Sequence, residues 1–494
     1  MRVDKLSRAA ERPEAAALIT EQGRTITYGE LEMRISAASL SLAAEGAGPG
    51  ERVLLVGENT DDMIVAILGA IRAGAWAVPL NARMSAGEID AILEHCRPRV
   101  AFFSPGSQEA VAHARRLGAG LRADGPLQGA WISHMAGDPE PNANDVAIML
   151  YTSGSTGTPK GVMLTHANIG FVAEASVRQD ILRPDDRIFH TLPLSHSFGL
   201  VSGLLCALRS GAALQLCTRF SADRLAHAIL HDAVTVFQGV PAMFGRLVQW
   251  AERSGTDLQP NALRVCYIGG SQVDPTQKRK AEQLLGRVLH HGYGMTECAP
   301  TITRTFGHEA PRTLTAGWPI PGIELELRSP SGMPLEAGST GEIYVRGPNV
   351  MKGYFRDDEQ TRAVLDGRGW LRTGDLGTVS AAGDLTVVGR LKELIIHGGF
   401  NVYPAEVEIA ISAYPGVAQC AVLGQALAGD EEIVAFVEPV PGAELHPVDL
   451  TAFLRGRLAP YKIPQRWMVL DRLPTSGTGK IMKSRLRSFL GEHA

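Results

Sequence analysis

A glycine- and hydroxyl-rich stretch carries the strongest chemical signal in the sequence. It reads Thr152-Ser153-Gly154-Ser155-Thr156-Gly157-Thr158-Pro159-Lys160 and follows an apolar run, residues 146–150, that predicts a buried strand. The glycines allow a tight turn, the hydroxyls donate hydrogen bonds to oxyanions, and the final lysine adds positive charge. The residue order differs from the G-x-x-x-x-G-K-[ST] of a Walker A loop. A flexible linker has a similar composition, but linkers rarely follow a buried strand directly, so the stretch predicts a phosphate-binding loop.

Four shorter motifs are each ambiguous when taken alone. In Tyr293-Gly294-Met295-Thr296-Glu297 the ring suits stacking on a base and the oxygens suit Mg²⁺, although an ordinary turn would look the same. In Thr373-Gly374-Asp375 the carboxylate suits a ribose diol, although an Asx-turn is the usual explanation. The other two motifs are Gly389-Arg390-Leu391-Lys392-Glu393 and Pro474-Thr475-Ser476-Gly477-Thr478-Gly479-Lys480. The second of these presents a lysine on a glycine loop, where a solvated charge is common.

The elements that would position these motifs alternate between strands and helices. An apolar run at residues 53–56 predicts a strand, and it leads into residues 63–71, which are apolar almost all round and predict a buried helix. Similar short apolar runs occupy residues 100–103, 146–150, 234–237 and 265–268. This alternation predicts an α/β fold with mostly parallel sheets flanked by helices, whose ligands bind at the carboxyl ends of the strands.

The last third of the sequence has a different texture. From about Pro311 the apolar runs become shorter and β-like, at residues 324–327, 342–345 and 385–388. A compact α+β unit then follows, with helices predicted near 405–413 and 448–458 and strands near 418–423 and 433–437. We therefore expect a β-rich subdomain and a domain boundary that separates residues 1–389 from residues 390–494.

Composition excludes several classes of protein. A chain of 494 residues exceeds the roughly 250–300 at which single cores stop growing, which predicts more than one domain. The formal net charge of −4 gives no general attraction to nucleic acid. The six cysteines form no CxxC pair and no zinc spacing, so we expect free thiols in a reducing compartment. The amino terminus has no apolar signal core, and no segment is long enough for a transmembrane helix, which favours a soluble cytoplasmic protein.

Taken together in this order and spacing, the five motifs resemble those of the AMP-forming adenylating superfamily. That superfamily includes acyl-CoA synthetases, peptide-synthetase adenylation domains and luciferases. The similarity extends from Thr27-Tyr28-Gly29-Glu30-Leu31 to Lys480. It implies a large N-terminal domain and a small mobile C-terminal domain with the active site between them. The implied reaction activates a carboxylic acid with ATP and Mg²⁺, releases pyrophosphate and AMP, and passes the acyl group to a thiol such as CoA.

The resemblance also implies roles for individual residues. Lys480 would bridge the acid carboxylate and the α-phosphate, and it is grouped with Glu297, Thr152 and His196 as catalytic. Thr152 and Glu297 would hold the metal, and Lys392 would be the hinge, at a position where many relatives carry Asp. The residues implied to bind ATP or AMP are Thr152, Ser153, Gly154, Ser155, Thr156, Gly157, Thr158, Lys160, Gly270, Ser271, Tyr293, Gly294, Met295, Thr296, Asp375, Arg390 and Lys480.

The acid pocket and the thiol channel are assigned by the same resemblance. The acid pocket would be lined by His196, Ser197, Phe198, Phe237, Val240, Gly269 and Gly270. Because the pocket segments contain no charged residue, we expect an apolar monocarboxylic acid, whether fatty, aromatic or alicyclic. Arg304 would weaken this expectation if it pointed inward, but an arginine is usually at the surface. Gly398, Gly399 and Phe400 would line the channel for CoA.

Three alternatives stay open at this point. The chain could be a stand-alone adenylation enzyme that loads a carrier protein, although no phosphopantetheine motif is visible and Tyr-Gly-Met-Thr-Glu resembles the CoA ligases more. It could be a luciferase-like oxidase, a rare specialisation. It could be a non-catalytic binding protein, although a dead copy would be free to lose Lys160, Glu297, Asp375, Arg390 and Lys480. Finally, the Pro474–Lys480 pattern resembles acyl-CoA synthetases that are silenced by lysine acetylation, which predicts regulatory acylation of Lys480.

Overall fold

The structure is a computed structural model that describes residues 2–7, 11–123, 125, 127–141, 143–153, 159–271, 273–305, 315–398, 400–427, 430–475 and 481–490. The strands before residue 200 are β1 (Ala16–Ile19), β2 (Thr25–Thr27), β3 (Arg52–Gly57), β4 (Trp76–Asn81), β5 (Val100–Phe103), β6 (Gly120–Leu121), β7 (Trp131–His134), β8 (Val146–Ser153), β9 (Pro159–Thr165) and β10 (Arg187–His190). Those up to residue 350 are β11 (Ala213–Leu216), β12 (Val236–Gly239), β13 (Val265–Ile268), β14 (Leu289–Gly294), β15 (Thr301–Arg304), β16 (Trp318–Pro319), β17 (Glu324–Arg328) and β18 (Thr340–Arg346). The later strands are β19 (Gly353–Tyr354), β20 (Leu371–Val379), β21 (Leu385–Arg390), β22 (Ile395–His397), β23 (Phe400–Val402), β24 (Val417–Leu427), β25 (Asp430–Pro439) and β26 (Arg466–Val469).

Helices connect most of these strands. The α-helices are α1 (Tyr28–Ala44), α2 (Asp61–Arg72), α3 (Ala86–Cys96), α4 (Gln108–Arg116), α5 (His166–Arg178), α6 (Cys206–Ser210), α7 (Ala222–His231), α8 (Pro241–Ser254), α9 (Pro275–Leu285), α10 (Asp358–Val364), α11 (Pro404–Ser412), α12 (Pro447–Arg455) and α13 (Lys483–Leu486). A π-helix covers Phe198–Leu205, and short 3-10 turns cover Thr296–Cys298 and Leu391–Glu393, among others.

Two large sheets form the N-terminal domain. One has the strand order β16-β15-β14-β13-β12-β10-β11-β1-β2, and the other has the order β19-β9-β8-β4-β3-β5-β7-β6. The central pairs are parallel, such as β12 with β13 and β3 with β4, whereas edge pairs such as β14 with β15 and β8 with β9 are antiparallel. The mostly parallel α/β arrangement predicted from the sequence is therefore confirmed.

Helix α2 explains how the two sheets pack together. Residues 63–71 of this helix are all buried, and they share one apolar cluster with Val53 of β3 and Ile188 of β10. An all-round apolar helix has no face for solvent, so it is stable only when it is enclosed between layers. Asp61 and Asp62 in the first turn and Arg72 in the last turn carry the charges that the helix dipole favours.

Apart from β16 and β19, which join the two large sheets, the strands beyond residue 316 build smaller, separate sheets. The antiparallel order β17-β18-β20-β21 forms the β-rich part, in which Asp375 pairs with Arg390 across β20 and β21. Strands β24-β25-β26 and the helices α11 and α12 surround apolar clusters of their own, which begin at Ile395. This agrees with a small α+β C-terminal domain.

Most predicted elements agree with the structure to within three residues, although the strand predicted at 418–423 extends to Leu427. Two other differences are informative. The run at 146–150 continues as strand β8 to Ser153, because β9 returns antiparallel to it. The run at 234–237 becomes a strand only at Val236, because the amide of Val234 donates to Ala228 O and closes helix α7. All six cysteines are buried free thiols, as expected. Within the described residues no helix combines the length and hydropathy that crossing a bilayer requires, and the cytoplasmic location stays a prediction.

Candidate active site

One large cleft of about 3040 Å³ collects most of the residues that the sequence singled out. It opens beyond the carboxyl ends of β12 and β13, and the C-terminal domain contributes one wall, from α11 and α13. The predicted residues that line it are Thr152, Lys160, His196, Ser197, Phe198, Val240, Gly269, Gly270, Ser271, Tyr293, Gly294, Met295, Thr296, Glu297, Asp375, Arg390 and Lys392.

The phosphate-loop prediction falls at a β-hairpin. Thr152 on β8 faces Lys160 on β9 in the antiparallel register, so both ends of the loop are held by strand pairing. Residues 154–158, which include Gly154, Ser155, Thr156, Gly157 and Thr158, lie outside the described residues, as does the side chain of Ser153. The hairpin therefore presents a hydroxyl and an ammonium side by side at the cleft.

Lys160 and Glu297 are joined through Tyr354, which the sequence analysis missed. The ammonium of Lys160 lies 5.0 Å from the centre of the Tyr354 ring and donates to Gln360 Oε1 at 2.8 Å. The Tyr354 hydroxyl donates to Glu297 Oε1 at 2.9 Å. Burial and the Glu297 carboxylate raise the pKa of Tyr354, so the phenol stays a hydrogen-bond donor. Tyr354 reaches the site because β19 pairs with β9, a contact that no local sequence pattern indicates.

Asp375 is the centre of a second cluster. One oxygen, Oδ2, accepts a hydrogen bond from the Tyr293 hydroxyl at 2.6 Å, and Oδ1 lies 3.1 Å from Arg390 Nε. Asp375 is only 5% exposed, and its two partners fix the orientation of the carboxylate. Burial and the neighbouring Asp375 raise the pKa of Tyr293 well above its ordinary value. Each carboxylate oxygen keeps a second acceptor site, which suits a ribose diol.

The turn Thr296–Cys298 supplies the oxygen ligands that a magnesium ion would use. Thr296 and Glu297 are each 9% exposed, and the Thr296 hydroxyl lies 3.4 Å from that of Ser197. Among the described residues, no group of three or more His, Cys, Asp or Glu side chains is placed to hold a metal ion. Mg²⁺ bound to a nucleotide needs only one or two carboxylates, since phosphate and water oxygens complete its shell. One buried carboxylate with adjacent hydroxyls therefore fits the ion.

The acid-binding side is built around the start of the π-helix. His196 is exposed at the cleft and accepts a hydrogen bond at Nδ1 from the Phe198 amide at 3.2 Å. The Phe198 ring meets the Tyr267 ring edge-on, with centroids 6.0 Å apart. Gly270 has φ +83°, a conformation that favours glycine, and a side chain there would contact Val240. These residues form an apolar wall with polar groups only at its ends.

Phe237 was assigned to this pocket, and the structure corrects that assignment. Its ring packs in the core against Phe244, with centroids 4.9 Å apart, and it does not line the cleft. The next residue, Gln238, does line it. Successive side chains of a strand point to opposite faces, so the predicted segment was right and the face was wrong by one residue.

Arg304 also departs from the expectation of a surface residue. It is 7% exposed and lines the cleft, and neither Nε nor Nη2 has a hydrogen-bond partner among the described residues. Burial lowers the pKa of its guanidinium, an effect that Tyr267 and Cys206 oppose. The buried Gln238 Oε1 likewise has no partner in the described part of the chain.

The C-terminal domain meets the cleft through the turn that carries Lys392. Partial burial, Arg390 and Lys160 lower the pKa of Lys392. Lys483 bonds Glu393 Oε2 at 2.6 Å and Glu408 Oε1 at 2.8 Å, which ties the segment after residue 480 to this turn. Lys480 and Gly399 lie outside the described residues. Gly398 and Phe400 belong to the β22–β23 hairpin outside the cleft, where Phe400 stacks on Tyr461 at 4.4 Å.

These features define a class of protein. A hairpin that presents a hydroxyl and an ammonium, a buried glutamate beside hydroxyls, a buried carboxylate held by a tyrosine and an arginine, and an apolar wall all face one cleft beside a small second domain. That combination is the one expected of an enzyme that joins AMP to a carboxylic acid. The chain belongs to the AMP-binding enzyme family, whose main domain matches residues 6–355 and whose C-terminal domain matches residues 406–480.

Similar proteins agree with this class. Feruloyl-CoA synthase of Amycolatopsis is 38% identical over 98% of both chains, and indoleacetate–CoA ligase of Aromatoleum aromaticum is 34% identical over 94% of both. The crystal structure of ATP-bound MatB from Rhodopseudomonas palustris is 30% identical, covers 100% of this chain and 99% of its own, and has a TM-score of 0.85. The apo form of MatB has a TM-score of 0.75.

The family and the full-length relatives identify the chain as an AMP-forming acid–CoA ligase. Such an enzyme forms an acyl-adenylate and then an acyl-CoA thioester. Its reaction uses a small-molecule acid, ATP, Mg²⁺ and CoA.

Proposed function

We propose that this ligase activates an apolar monocarboxylic acid with an aromatic or alicyclic ring. The observation that carries the proposal is the pocket wall, where the Phe198 and Tyr267 rings and Val240 present apolar surface at the cleft. A flat ring suits a slot between ring edges and a glycine segment. The buried Arg304 argues against a long alkyl chain, which would press CH₂ groups against a charged group. Similar proteins act on feruloyl and indoleacetate groups, which are both ring-bearing.

In the first step the residues at the nucleotide end hold and orient ATP. Asp375 and Arg390 bind the ribose, the Tyr293 ring stacks on adenine, and the hairpin around Thr152 and Lys160 holds the pyrophosphate. Joining a carboxylate to the α-phosphate brings two anions together, so the reaction needs cations and fixed donors more than a base. Glu297 and Thr152 would hold Mg²⁺, which neutralises phosphate charge when it is bound. His196, at the mouth of the acid pocket, orients the carboxylate.

Lys480 places its ammonium between the carboxylate and the α-phosphate during this step. The described segment that follows Lys480 is anchored by Lys483, whose bonds to Glu393 and Glu408 connect that segment to the turn at Lys392 and to α11. A hinge there divides the chain into residues 1–389, which bind ATP and the acid, and residues 390–494, which carry Lys480. Rotation of the small domain about Lys392 then removes Lys480 from the cleft.

The same rotation brings the thiol channel into place. Gly398 and Phe400 lie outside the cleft in this arrangement, which resembles ATP-bound MatB more than its apo form. This arrangement therefore serves adenylation, and thioester formation needs a second arrangement of the small domain. In that second arrangement the β22–β23 hairpin, with Gly398, Gly399 and Phe400, lines the path of CoA. The thiolate attacks the acyl carbonyl, the thioester forms and AMP leaves.

Pyrophosphate release across a panel of acids tests this function. Each acid is supplied with ATP and Mg²⁺, with and without CoA, and the panel contains cinnamates, indole acids, alicyclic acids and straight-chain fatty acids. We expect release with ring acids and sustained turnover only with CoA. Faster turnover with straight-chain acids would contradict the acid class, and release that CoA leaves unchanged would indicate a carrier-protein thiol as the acceptor.

We also propose that acylation of Lys480 switches adenylation off. Acylation removes the charge that sits between two anions, so it removes the interaction that the first step needs most. Chemically acetylated enzyme should lose acid-dependent pyrophosphate exchange and recover it after enzymatic deacetylation. Exchange at the full rate, with Lys480 shown by mass spectrometry to be acetylated, would exclude the switch.

A further inference from the structure

Two buried polar groups that line the cleft have no partner within the described protein. Arg304 lacks one for Nε and Nη2, and Gln238 lacks one for Oε1, although both side chains are at least nine-tenths buried. A buried polar group without a partner costs free energy, and a guanidinium stays charged at any pH that the protein tolerates. Such groups are expected where a ligand supplies the missing partner.

The sheet register places these two side chains on one face. Gln238 on β12 is the register partner of Tyr267 on β13, and Gly292 on β14 is the partner of Arg304 on β15. A side chain at Gly292 would collide with the Tyr267 hydroxyl, so Tyr267 lies over this glycine. Gly292 lies two residues beyond His290, the register partner of Tyr267, and therefore on the same face of the sheet. Gln238, Tyr267, Gly292 and Arg304 thus form an oblique row across four adjacent strands, and all four line the cleft.

The unpaired nitrogens of Arg304 lie on a single edge of the guanidinium. Nε–H and one Nη2–H point in parallel, which suits one carbonyl oxygen or the two oxygens of a carboxylate. The chain uses the same edge elsewhere, since Arg346 binds Glu324 through Nε at 2.9 Å and Nη2 at 2.6 Å. For Arg304 no such acid is within reach among the described side chains.

The rest of the row limits what else could fill this place. Tyr267 and Cys206, which face Arg304, are neutral, because burial raises the pKa of each to about 12. Phe198 and Val240 add apolar surface close to the row, and Ser176, beside Cys206, adds a neutral hydroxyl. The protein thus surrounds one charged donor edge with neutral and apolar groups.

We propose that Arg304 is a specificity-determining residue that binds an oxygen atom on the end of the acid remote from its reacting carboxylate. This inference rests on the proposed function and deepens it: the substrate is a ring acid with one carboxylate, which reacts, and with a hydroxyl or carbonyl oxygen at its far end. Gln238 Oε1 accepts a hydrogen bond from the same end when the substituent is a hydroxyl. An acid without such an oxygen binds with the guanidinium edge still unpaired and is used less well.

Matched acids that differ in one substituent test the proposal. The probes are cinnamate, 4-hydroxycinnamate and 4-carboxycinnamate, or the same substitutions on whichever ring skeleton is fastest in the acid panel. For wild-type enzyme we expect a higher kcat/KM with the oxygenated acids. Arg304→Met should lower kcat/KM for the oxygenated acids by about 10- to 100-fold and change that for the parent acid by less than about threefold.

Two further variants separate recognition from folding. Arg304→Lys keeps the charge but not the two-nitrogen edge, so it should recover only part of the preference. Arg253→Met, at an exposed position of α8 outside the cleft, should leave the ratio of kcat/KM between the substituted and parent acids unchanged. If Arg304→Met does not fold, the ratio of kcat/KM between the substituted and parent acids is measured in Arg304→Lys and Gln238→Leu instead. Gln238→Leu should change this ratio for the hydroxyl acid only.

The outcomes are distinct. A preference for the hydroxyl acid over the parent acid that disappears in Arg304→Met supports the proposal. A still higher kcat/KM with the carboxylate acid, also lost in Arg304→Met, supports Arg304 as the specificity-determining residue but contradicts the monocarboxylic class of substrate. Equal loss for substituted and parent acids, or an unchanged ratio, overturns the proposal while pyrophosphate exchange with ring acids still upholds the proposed function. Absence of exchange with any acid in wild-type enzyme refutes the proposed function itself.

Discussion

The two ends of the cleft differ in whether their buried polar groups have partners within the described protein. The nucleotide end contains Asp375 and Glu297, which we propose to serve ATP and Mg²⁺, and the acid end contains Arg304 and Gln238. At the nucleotide end, Asp375 is held by Tyr293 and Arg390, and Glu297 is held by Tyr354. At the acid end, Arg304 and Gln238 keep buried atoms that have no partner among the described residues. Both ends face the same cavity and are equally buried, so exposure does not explain the contrast.

The contrast follows from what each end must recognise. ATP is common to the whole family, so its contacts can be oriented by the protein in advance, and fixed dipoles cost no reorganisation during the reaction. The acid differs from relative to relative, and a group left unpaired in the protein rejects every acid that does not satisfy it. The stability lost at the acid end is thus the source of its selectivity.

The largest effect is expected at Lys480, which we propose to act on both the acid and the nucleotide. Lys480→Ala should lower the rate of adenylate formation about a thousandfold, because it removes the cation between two reacting anions. Thioester formation from supplied acyl-adenylate should change less than about threefold, since Lys480 has left the cleft by then. Rapid-quench measurement of each half-reaction gives both numbers. Lys5→Ala, at an exposed position, is the control, and equal loss in both steps would refute the assigned role.

A comparison of two buried arginines tests whether hydrogen-bond partners within the protein decide how much a buried guanidinium contributes to the free energy of unfolding. Arg52 is 0% exposed and donates to four backbone carbonyls, which belong to Gly50, Cys96, Arg97 and Asp138. Arg52→Met leaves those oxygens unpaired and should lower the free energy of unfolding by about 3 kcal/mol. Arg304→Met removes an unpaired charge and should leave that free energy unchanged or raise it by about 1 kcal/mol.

Urea unfolding with a constant m-value measures both changes. The two variants have the same chemistry, so each serves as the control for the other. A loss of similar size in both would mean that Arg304 stabilises the fold and that the two ends do not differ.

Much of the fold could be predicted from the sequence because it depends on local patterns. Helix α2 and strands β5 and β13 follow from apolar runs whose period and length admit one interpretation. The site motifs that lie within one loop, such as Thr296 and Glu297, could be found in the same way.

Contacts that depend on strand pairing could not be predicted from the sequence. Tyr354 enters through β19 and β9, which are far apart in sequence, and the inward direction of Arg304 follows from its register with Gly292. Phe237 was predicted to line the pocket in place of Gln238. Successive side chains of a strand point to opposite faces, so an error of one residue selects the side chain that points away from the pocket. In each case the missing information is which strands pair, and in what register.

Asp375 gives the next largest effect, at the nucleotide end. Asp375→Asn keeps the size of the side chain but loses its charge, which weakens its interactions with Arg390 and the ribose. We expect the KM for ATP to rise about tenfold, with the KM for the acid unchanged. Pyrophosphate exchange at varied ATP and acid concentrations measures both, and Asp185→Asn, at an exposed position, is the control. A parallel rise in the KM for the acid would mean that the two ends are not independent.

The smallest effect is expected at Tyr354, because only one hydrogen bond is removed. Tyr354→Phe keeps the ring beside Lys160 but leaves Glu297 Oε1 without its 2.9 Å donor. A less constrained carboxylate should lower the adenylation kcat about fivefold, equivalent to roughly 1 kcal/mol, and higher Mg²⁺ concentrations should partly restore it. Tyr344→Phe on β18 removes a hydroxyl outside the cleft and should change nothing. If Tyr354→Phe behaves like that control, Glu297 is not oriented in advance, and the nucleotide end is no better prepared for its ligand than the acid end.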